Sequence, residues 1–236
     1  IHVLDKRYLS LFSLARRLGS FDKFISFRDT IRSVFFQLFI SSRDKFRFKR
    51  RDFQNCHQVE KYNNFINKSL NTQFCAGELI IYSDNSLKEK SNVTRKKLPM
   101  LGINPGASYG SSKRWYPEEF ANVAAKLSSQ FDITILGGPT EKEISMDIQK
   151  LLVKKGVTNY QNLAGNINIS ELIHHISNLD LFVTGDSGPM HIAASYQVPT
   201  VSIFGPTRDN ETSQWLNRKS IIVKKNLDCQ PCMKRV

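Results

Sequence analysis

Apolar positions recur with two different spacings along this chain. Leu9, Leu11, Phe12, Leu14, Ala15 and Leu18 fall on one side of a helix over Tyr8–Leu18, leave Arg16 and Arg17 on the other, and stop at Gly19. Phe21–Phe27 alternates and predicts a strand. Thr30–Ile40 is strongly apolar and predicts a buried helix, its phenylalanines keeping a strand open as the alternative. Lys45-Phe46-Arg47-Phe48-Lys49 alternates as an edge strand with a charged outer face does, and His57–Leu70 reads as a helix. Ser83–Lys97 carries many charges and almost no apolar residues. It reads as a linker, dividing the chain into a first domain over 1–90 and a second over 98–236.

Beyond Leu98 the pattern becomes regular. Short apolar runs at Met100–Asn104, Asp132–Leu136, Val157–Leu163, Leu181–Val183, Thr200–Phe204 and Ile221–Val223 predict strands. Between them, Pro117–Gln130, Glu141–Lys155, Ser170–Ser177 and a segment opened by Pro189 predict helices; Phe120, Val123, Ala124 and Leu127 share one face of the first. Strands and helices alternating at short spacing predict an α/β fold with a doubly wound parallel sheet.

Charge narrows the class of partner. The 236 residues hold 34 Lys and Arg against 21 Asp and Glu, a formal charge of +13. Such a surplus suits a nucleic acid, an anionic membrane face or a phosphorylated substrate, or belongs to a protein that is simply basic. It is densest at Arg43–Arg51, where phenylalanines interleave. Single-stranded nucleic acid, an edge strand and a surface facing anionic lipid all fit that stretch, and a strand with electrostatic attraction is favoured over a nucleic-acid site. No apolar run reaches the roughly 18 residues of a membrane span, and no signal peptide is visible. The sequence opens on Ile1 rather than Met, so an N-terminal piece is expected to precede it. Cys56 and Cys75 stand alone. Cys229 and Cys232 form one Cys-x-x-Cys, half a zinc site at most, so no metal is expected.

Candidate chemistry gathers where the sheet's strands end, because open α/β sheets bind ligands at the carboxyl ends of their strands. Four loops there are small, polar or charged: Ser108–Lys113, Gly138–Glu141, Gly165–Asn168 and Asp186–His191. In the last, Leu181-Phe182-Val183 runs into Gly185-Asp186-Ser187-Gly188, and Pro189 opens a helix where its missing N–H does no harm. Free N–H groups and the positive helix end suit a phosphate there. The plainer alternative makes Ser187 a helix cap, Asp186 a turn acceptor and His191 an ordinary histidine. Lys113 can neutralise a phosphate, and Glu141 and Asp186 can accept from sugar or ribose hydroxyls. These residues together fit a nucleotide-linked ligand. No Walker loop, no Gly-x-Gly-x-x-Gly and no Asp-x-Asp pair for a divalent metal is present. Leaving-group stabilisation would fall to Lys113, helix N-termini and neutral donors. A Ser–His–Asp hydrolase fits poorly, since Gly185-Asp186-Ser187-Gly188 is not a Gly-x-Ser-x-Gly elbow.

Asn104-Pro105-Gly106-Ala107, Lys113-Arg114-Trp115, Gly185-Asp186-Ser187-Gly188-Pro189-Met190-His191 with Ala193-Ala194, and Phe204-Gly205-Pro206-Thr207 together resemble the bacterial ADP-heptose:lipopolysaccharide heptosyltransferases of glycosyltransferase family 9. Pro105-Gly106-Ala107, Lys113-Arg114-Trp115 and the terminal Asp228-Cys229-x-x-Cys232 together most resemble the heptosyltransferase II branch. The resemblance implies a GT-B architecture of two Rossmann-like domains with parallel sheets, the first incomplete here. It implies an inverting, metal-independent transfer of heptose from ADP-heptose to the inner core of lipopolysaccharide. The acceptor would be lipid A–core at the cytoplasmic face of the inner membrane, with no nucleic acid partner. Lys113 resembles the family lysine near the diphosphate and Glu141 an acidic residue near the ribose. Asp186, Ser187, Gly188 and His191 resemble the loop holding donor sugar and phosphates, and Ser108 a hydroxyl residue at the diphosphate. The family's general-base aspartate sits in a glycine-rich loop near the amino terminus. That loop is not in this sequence, so no base is named and weak transfer by this chain is expected. A nucleic-acid-binding protein and another GT-B enzyme or epimerase using a different nucleotide sugar remain the alternatives.

Overall fold

Parallel pairing organises everything described. A computed structural model describes residues 5, 7–82, 98–107 and 110–234. The proposed linker Ser83–Lys97 lies outside these residues. The chain divides into two units, residues 1–76 and 77–236.

In the first unit, α1 (Tyr8–Arg17) buries Leu11, Leu14 and Ala15 and carries Arg16 and Arg17 in its last turn, where the helix dipole favours cations. Gly19, at φ 76°, turns the chain into β1 (Ser20–Ser26). β2 (Ser41–Arg47) lies parallel to β1, Ser20 opposite Ser41 and Ser26 opposite Arg47. Parallel neighbours need a crossover, and α2 (Ile31–Phe39) supplies it. Thr30 and Ser33 cap α2 reciprocally, which settles helix over strand for this apolar run. It is not the buried helix its composition suggests: Ile31 and Leu38 are 80% and 70% exposed, and among the described residues the sheet beside α2 has two strands.

β2 alternates from Ser41 to Phe46 and ends at Arg47, so only the first three residues of the expected 45–49 run are strand, and Arg47 lies as deep as Phe46. Arg47 pairs with Asp29, Lys23 with Asp44, and Lys45 donates to the Gln37 carbonyl near the end of α2. α3 (Gln58–Leu70) starts at His57, whose Nδ1 accepts from the Val59 amide while Glu60 accepts from the His57 amide. Phe48, Phe53, Tyr62 and Phe65 meet at 5.0–6.3 Å between ring centroids, mostly edge to face, and form this unit's aromatic core.

Among the described residues the second unit is built on six parallel strands: β3 (Met100–Asn104), β4 (Asp132–Ile135), β5 (Tyr160–Asn162), β6 (Leu181–Gly185), β7 (Thr200–Phe204) and β8 (Ser220–Lys224). Their spatial order is β5-β4-β3-β6-β7-β8. Alternate residues of one strand feed opposite faces. Leu101, Ile103, Ile133, Ile135 and Val183 meet α4 (Pro117–Leu127) and α5 (Lys142–Lys154) through Phe120, Ala121, Ala124, Ile148 and Leu152, all fully or nearly fully buried. On the other face Phe182 and Leu179 meet α6 (Ile169–Ser177) and α7 (Gly188–Ser195) through Ile176 and Ala193. Gly102 points to that second face, where a Cβ would stand 2.3 Å from Leu179 Cδ1; the missing side chain is what lets Leu179 close over β3. Residues 77–82 belong with this unit: Trp215 donates to the Gly77 carbonyl and Tyr196 to that of Ile81.

The order reverses between β3 and β6. β4 and β5 lie to one side, β7 and β8 to the other. Crossovers therefore leave the carboxyl ends of β3 and β6 in opposite directions, opening the crevice in which such sheets take ligands.

Candidate active site

Asn104 ends β3 with its side chain 2% exposed. Its amide nitrogen donates to Thr184 Oγ1 at 3.2 Å and to Ser187 Oγ at 3.1 Å, both at the end of β6. The two strands that border the crevice are thus tied by a buried side-chain network, which a hydrophobic residue at 104 could not make. This also answers the plain reading of Ser187. Its hydroxyl meets Asn104, Thr184 and the Gly185 carbonyl, and it gives α7 no side-chain cap. The start of α7 therefore keeps N–H groups with no side-chain partner from the cap.

Across the crevice, the loop after β3 closes in a single 3-10 turn, Ser111–Lys113. This turn lies on the ends of β6 and β7. A Cβ on Gly205 would stand 2.7 Å from the Ser112 carbonyl oxygen, and one on Gly185 3.2 Å from that of Lys113. Two glycines at strand ends admit the turn, and the turn delivers Lys113. Its ammonium bonds Asp186 Oδ2 at 2.5 Å and the Asp186 carbonyl at 3.3 Å. Thr207 Oγ1 donates to the same carboxylate oxygen at 2.6 Å. Lys113 and Asp186 side chains are 12% and 5% exposed, so the pair is screened from bulk water and electrostatically strong.

Glu141 occupies a neighbouring position after β4. It is 7% exposed, accepts from the Gly138 amide and the Thr140 hydroxyl at 2.8 Å each, and packs where a Cβ on Gly106 would stand. A carboxylate has about four acceptor sites, so two remain for another donor. Gly188 opens α7 on the exposed side, with nothing within 4 Å of where its Cβ would be. His191 lies half-buried on the same helix. Ser108 falls outside the described residues. Lys113, Asp186, Ser187 and Gly188 are brought together at the β3–β6 crevice, with Glu141 against Gly106 of the same loop. Asn104, Thr184 and Thr207 had no assigned chemistry. Each is a polar residue at or just past the end of a predicted strand, and that position was the available signal. Among the described residues no cluster of three or more His, Cys, Asp or Glu is placed to hold a metal, and no helix is long and apolar enough to cross a membrane. Cys56, Cys75, Cys229 and Cys232 are free thiols.

The family profile "Glycosyltransferase family 9 (heptosyltransferase)" matches residues 12–236. The chain belongs to glycosyltransferase family 9. Lipooligosaccharide heptosyltransferase 2 of Campylobacter jejuni subsp. jejuni serotype O:2 is 37% identical over 231 residues, 97% of this chain and 72% of that protein. Lipopolysaccharide heptosyltransferase 2 of Escherichia coli K12 is 30% identical over 125 residues, 52% of this chain and 36% of that protein. The solved structure of E. coli ADP-heptose LPS heptosyltransferase II shares the fold with a TM-score of 0.76 at 20% identity, over 97% of this chain and 78% of that one. A family 9 glycosyltransferase from Veillonella parvula also gives 0.76, at 22% identity over 92% and 68%. The GT-B reading of the sequence, with parallel sheets, is thereby met. In this family 9 glycosyltransferase, residues 104–107 and 113–115 lie at or beyond the end of β3 and residues 185–191 at the end of β6, the two strands that border the crevice, while residues 204–207 lie at the end of β7.

Proposed function

We propose that this family 9 enzyme transfers heptose, with inversion, from ADP-heptose to the inner core of lipopolysaccharide, and that its second unit holds the donor. One observation carries the proposal: a lysine ammonium and the unhindered start of a helix stand together at the switch point of a doubly wound sheet. That combination suits a diphosphate. The curated relatives' names, heptosyltransferases of lipopolysaccharide or lipooligosaccharide, support the sugar and the acceptor class.

In this reading Lys113 stabilises the negative charge on the departing ADP as the glycosidic bond breaks. No metal takes part. Ser108, Ser187, Gly188 and His191 contact phosphates or sugar, and Glu141 offers its free acceptor sites to the ribose. Asp186 orients Lys113 through the carboxylate oxygen that also accepts from Thr207. Inversion still needs a carboxylate to take the acceptor proton, and no residue of this site is assigned that task.

The first unit holds 15 Lys and Arg against 6 Asp and Glu among residues 1–76, a net charge of +9 out of +13. We read it as the side drawn to the phosphorylated lipid A–core acceptor at the cytoplasmic membrane face. Calorimetry on the chain with ADP, ADP-heptose and UDP-sugars tests the donor. Binding of the ADP ligands, weakened about tenfold or more by Lys113→Ala, is expected from loss of a charge-assisted contact. Equal affinity in the variant, or preference for UDP-sugars, refutes it.

A further inference from the structure

Lys113 rides on one 3-10 turn, and so short an element does not hold its own geometry. Something outside it must. The segment that follows β8 lies across the loops around it. Ser112 Oγ donates to the Lys234 carbonyl at 2.7 Å. The Met233 amide donates to the Pro206 carbonyl at 2.9 Å, and Gln230 Nε2 donates to the carbonyl of Gly205 at 2.6 Å. Gly205 is the residue against which the Ser112 carbonyl rests. One segment therefore bonds both loops that deliver donors to Asp186: the 111–113 turn with Lys113, and the 204–207 loop with Thr207.

We infer that Gln230–Lys234 is a brace that sets the Lys113 ammonium for the donor diphosphate, with Gln230 and Ser112 as positioning residues. Neither would touch the donor. Both act by fixing the backbone under Lys113, which costs less entropy on binding when the turn is already ordered. The inference rests on Lys113 being the diphosphate contact.

The test is ADP binding by calorimetry to the whole chain, with wild type, Ser112→Ala, Gln230→Glu and Ser112→Thr. Loss of the Ser112 hydrogen bond, or of the Gln230 Nε2 bonds to the Phe204 and Gly205 carbonyls, is expected to weaken ADP by about threefold to tenfold in the first two variants. Ser112→Thr keeps the hydroxyl and should stay within about twofold. In a Lys113→Ala background, Ser112→Ala and Gln230→Glu should each change affinity by less than about twofold, because a brace has nothing left to position. Amide exchange at Lys113 and Arg114 should quicken in Gln230→Glu while amides of β3 do not. Equal losses with and without Lys113 would show a general structural role and overturn the brace. So would unchanged affinity in Ser112→Ala and Gln230→Glu when Lys113→Ala alone weakens ADP; that result leaves the donor site standing. If Lys113→Ala binds ADP as wild type does, the donor site itself is refuted and the brace goes with it.

Discussion

A buried ion pair is a poor stabiliser and a good positioning device. Lys113 and Asp186 illustrate this. Desolvating two charges offsets most of their attraction, so hydrophobic replacements could have served the fold as well. What the pair fixes is a direction, since the ammonium is held by a carboxylate that Thr207 also holds. Gly188 works oppositely, by leaving space. Its Cβ would meet nothing within 4 Å, and its backbone is not in the left-handed region, so the fold gains nothing from a glycine there. Gly188→Ala should therefore leave the thermal midpoint unchanged or raise stability by up to about 1 kcal/mol. ADP affinity should fall several-fold, because a methyl group would stand where the diphosphate approaches the helix. Calorimetric titration beside a thermal melt checks both halves, and a variant that binds ADP normally removes Gly188 from the site.

At the scale of elements, the site depends on how β3 and β6 are joined. Asn104 donates into Thr184 and Ser187, all three at or next to strand ends. Asn104→Ala would leave buried hydroxyls short of a partner and is expected to cost about 2 kcal/mol, read as a lowered urea midpoint. ADP binding should weaken as well, since the α7 start is tied to β3 through Ser187. Most elements were legible because period and punctuation agreed. Pro117 and Pro189 lie at the first or second position of their helices, and Gly19 turns the chain at positive φ. The β3, β6 and β7 runs are short, apolar and bounded by Gly, Pro or Asn. What resisted reading was tertiary. The exposure of α2 depends on what packs beside it, which periodicity does not encode. The plainer alternative for Ser187 is a helix cap; the residue stands at the cap position, but its hydroxyl is claimed by a residue 83 positions away. Thr207 sat in a motif whose resemblance was plain, yet its contact with Asp186 needs the loops after β6 and β7 to meet. The Cys-x-x-Cys segment offered cysteine chemistry; the structure uses its glutamine and its backbone.

For the whole molecule, the uneven charge matters most. Residues 1–76 carry +9, and within them Lys49, Arg50 and Arg51 follow directly on β2, with Asp52 beside them. Three successive basic residues, of which Arg51 stands 3.8 Å from Asp52, concentrate positive charge there, and Lys45, bonded to a neutral carbonyl, adds its own. Each basic residue near an anionic bilayer contributes about 1 kcal/mol, and the attraction fades beyond a Debye length of about 10 Å at 0.1 M salt. The chain should thus float with vesicles containing anionic phospholipid at low salt and be released at about 0.5 M. Lys49→Glu with Arg51→Glu should weaken flotation at least about tenfold, through the reversal of two charges. ADP affinity should not move, because neither residue belongs to the second unit. Vesicle binding that ignores anionic content would sink this account. Oligonucleotides competing fully with vesicles at equal phosphate concentration would instead mark the basic run as a general polyanion surface, and the membrane-facing role of the first unit would fall.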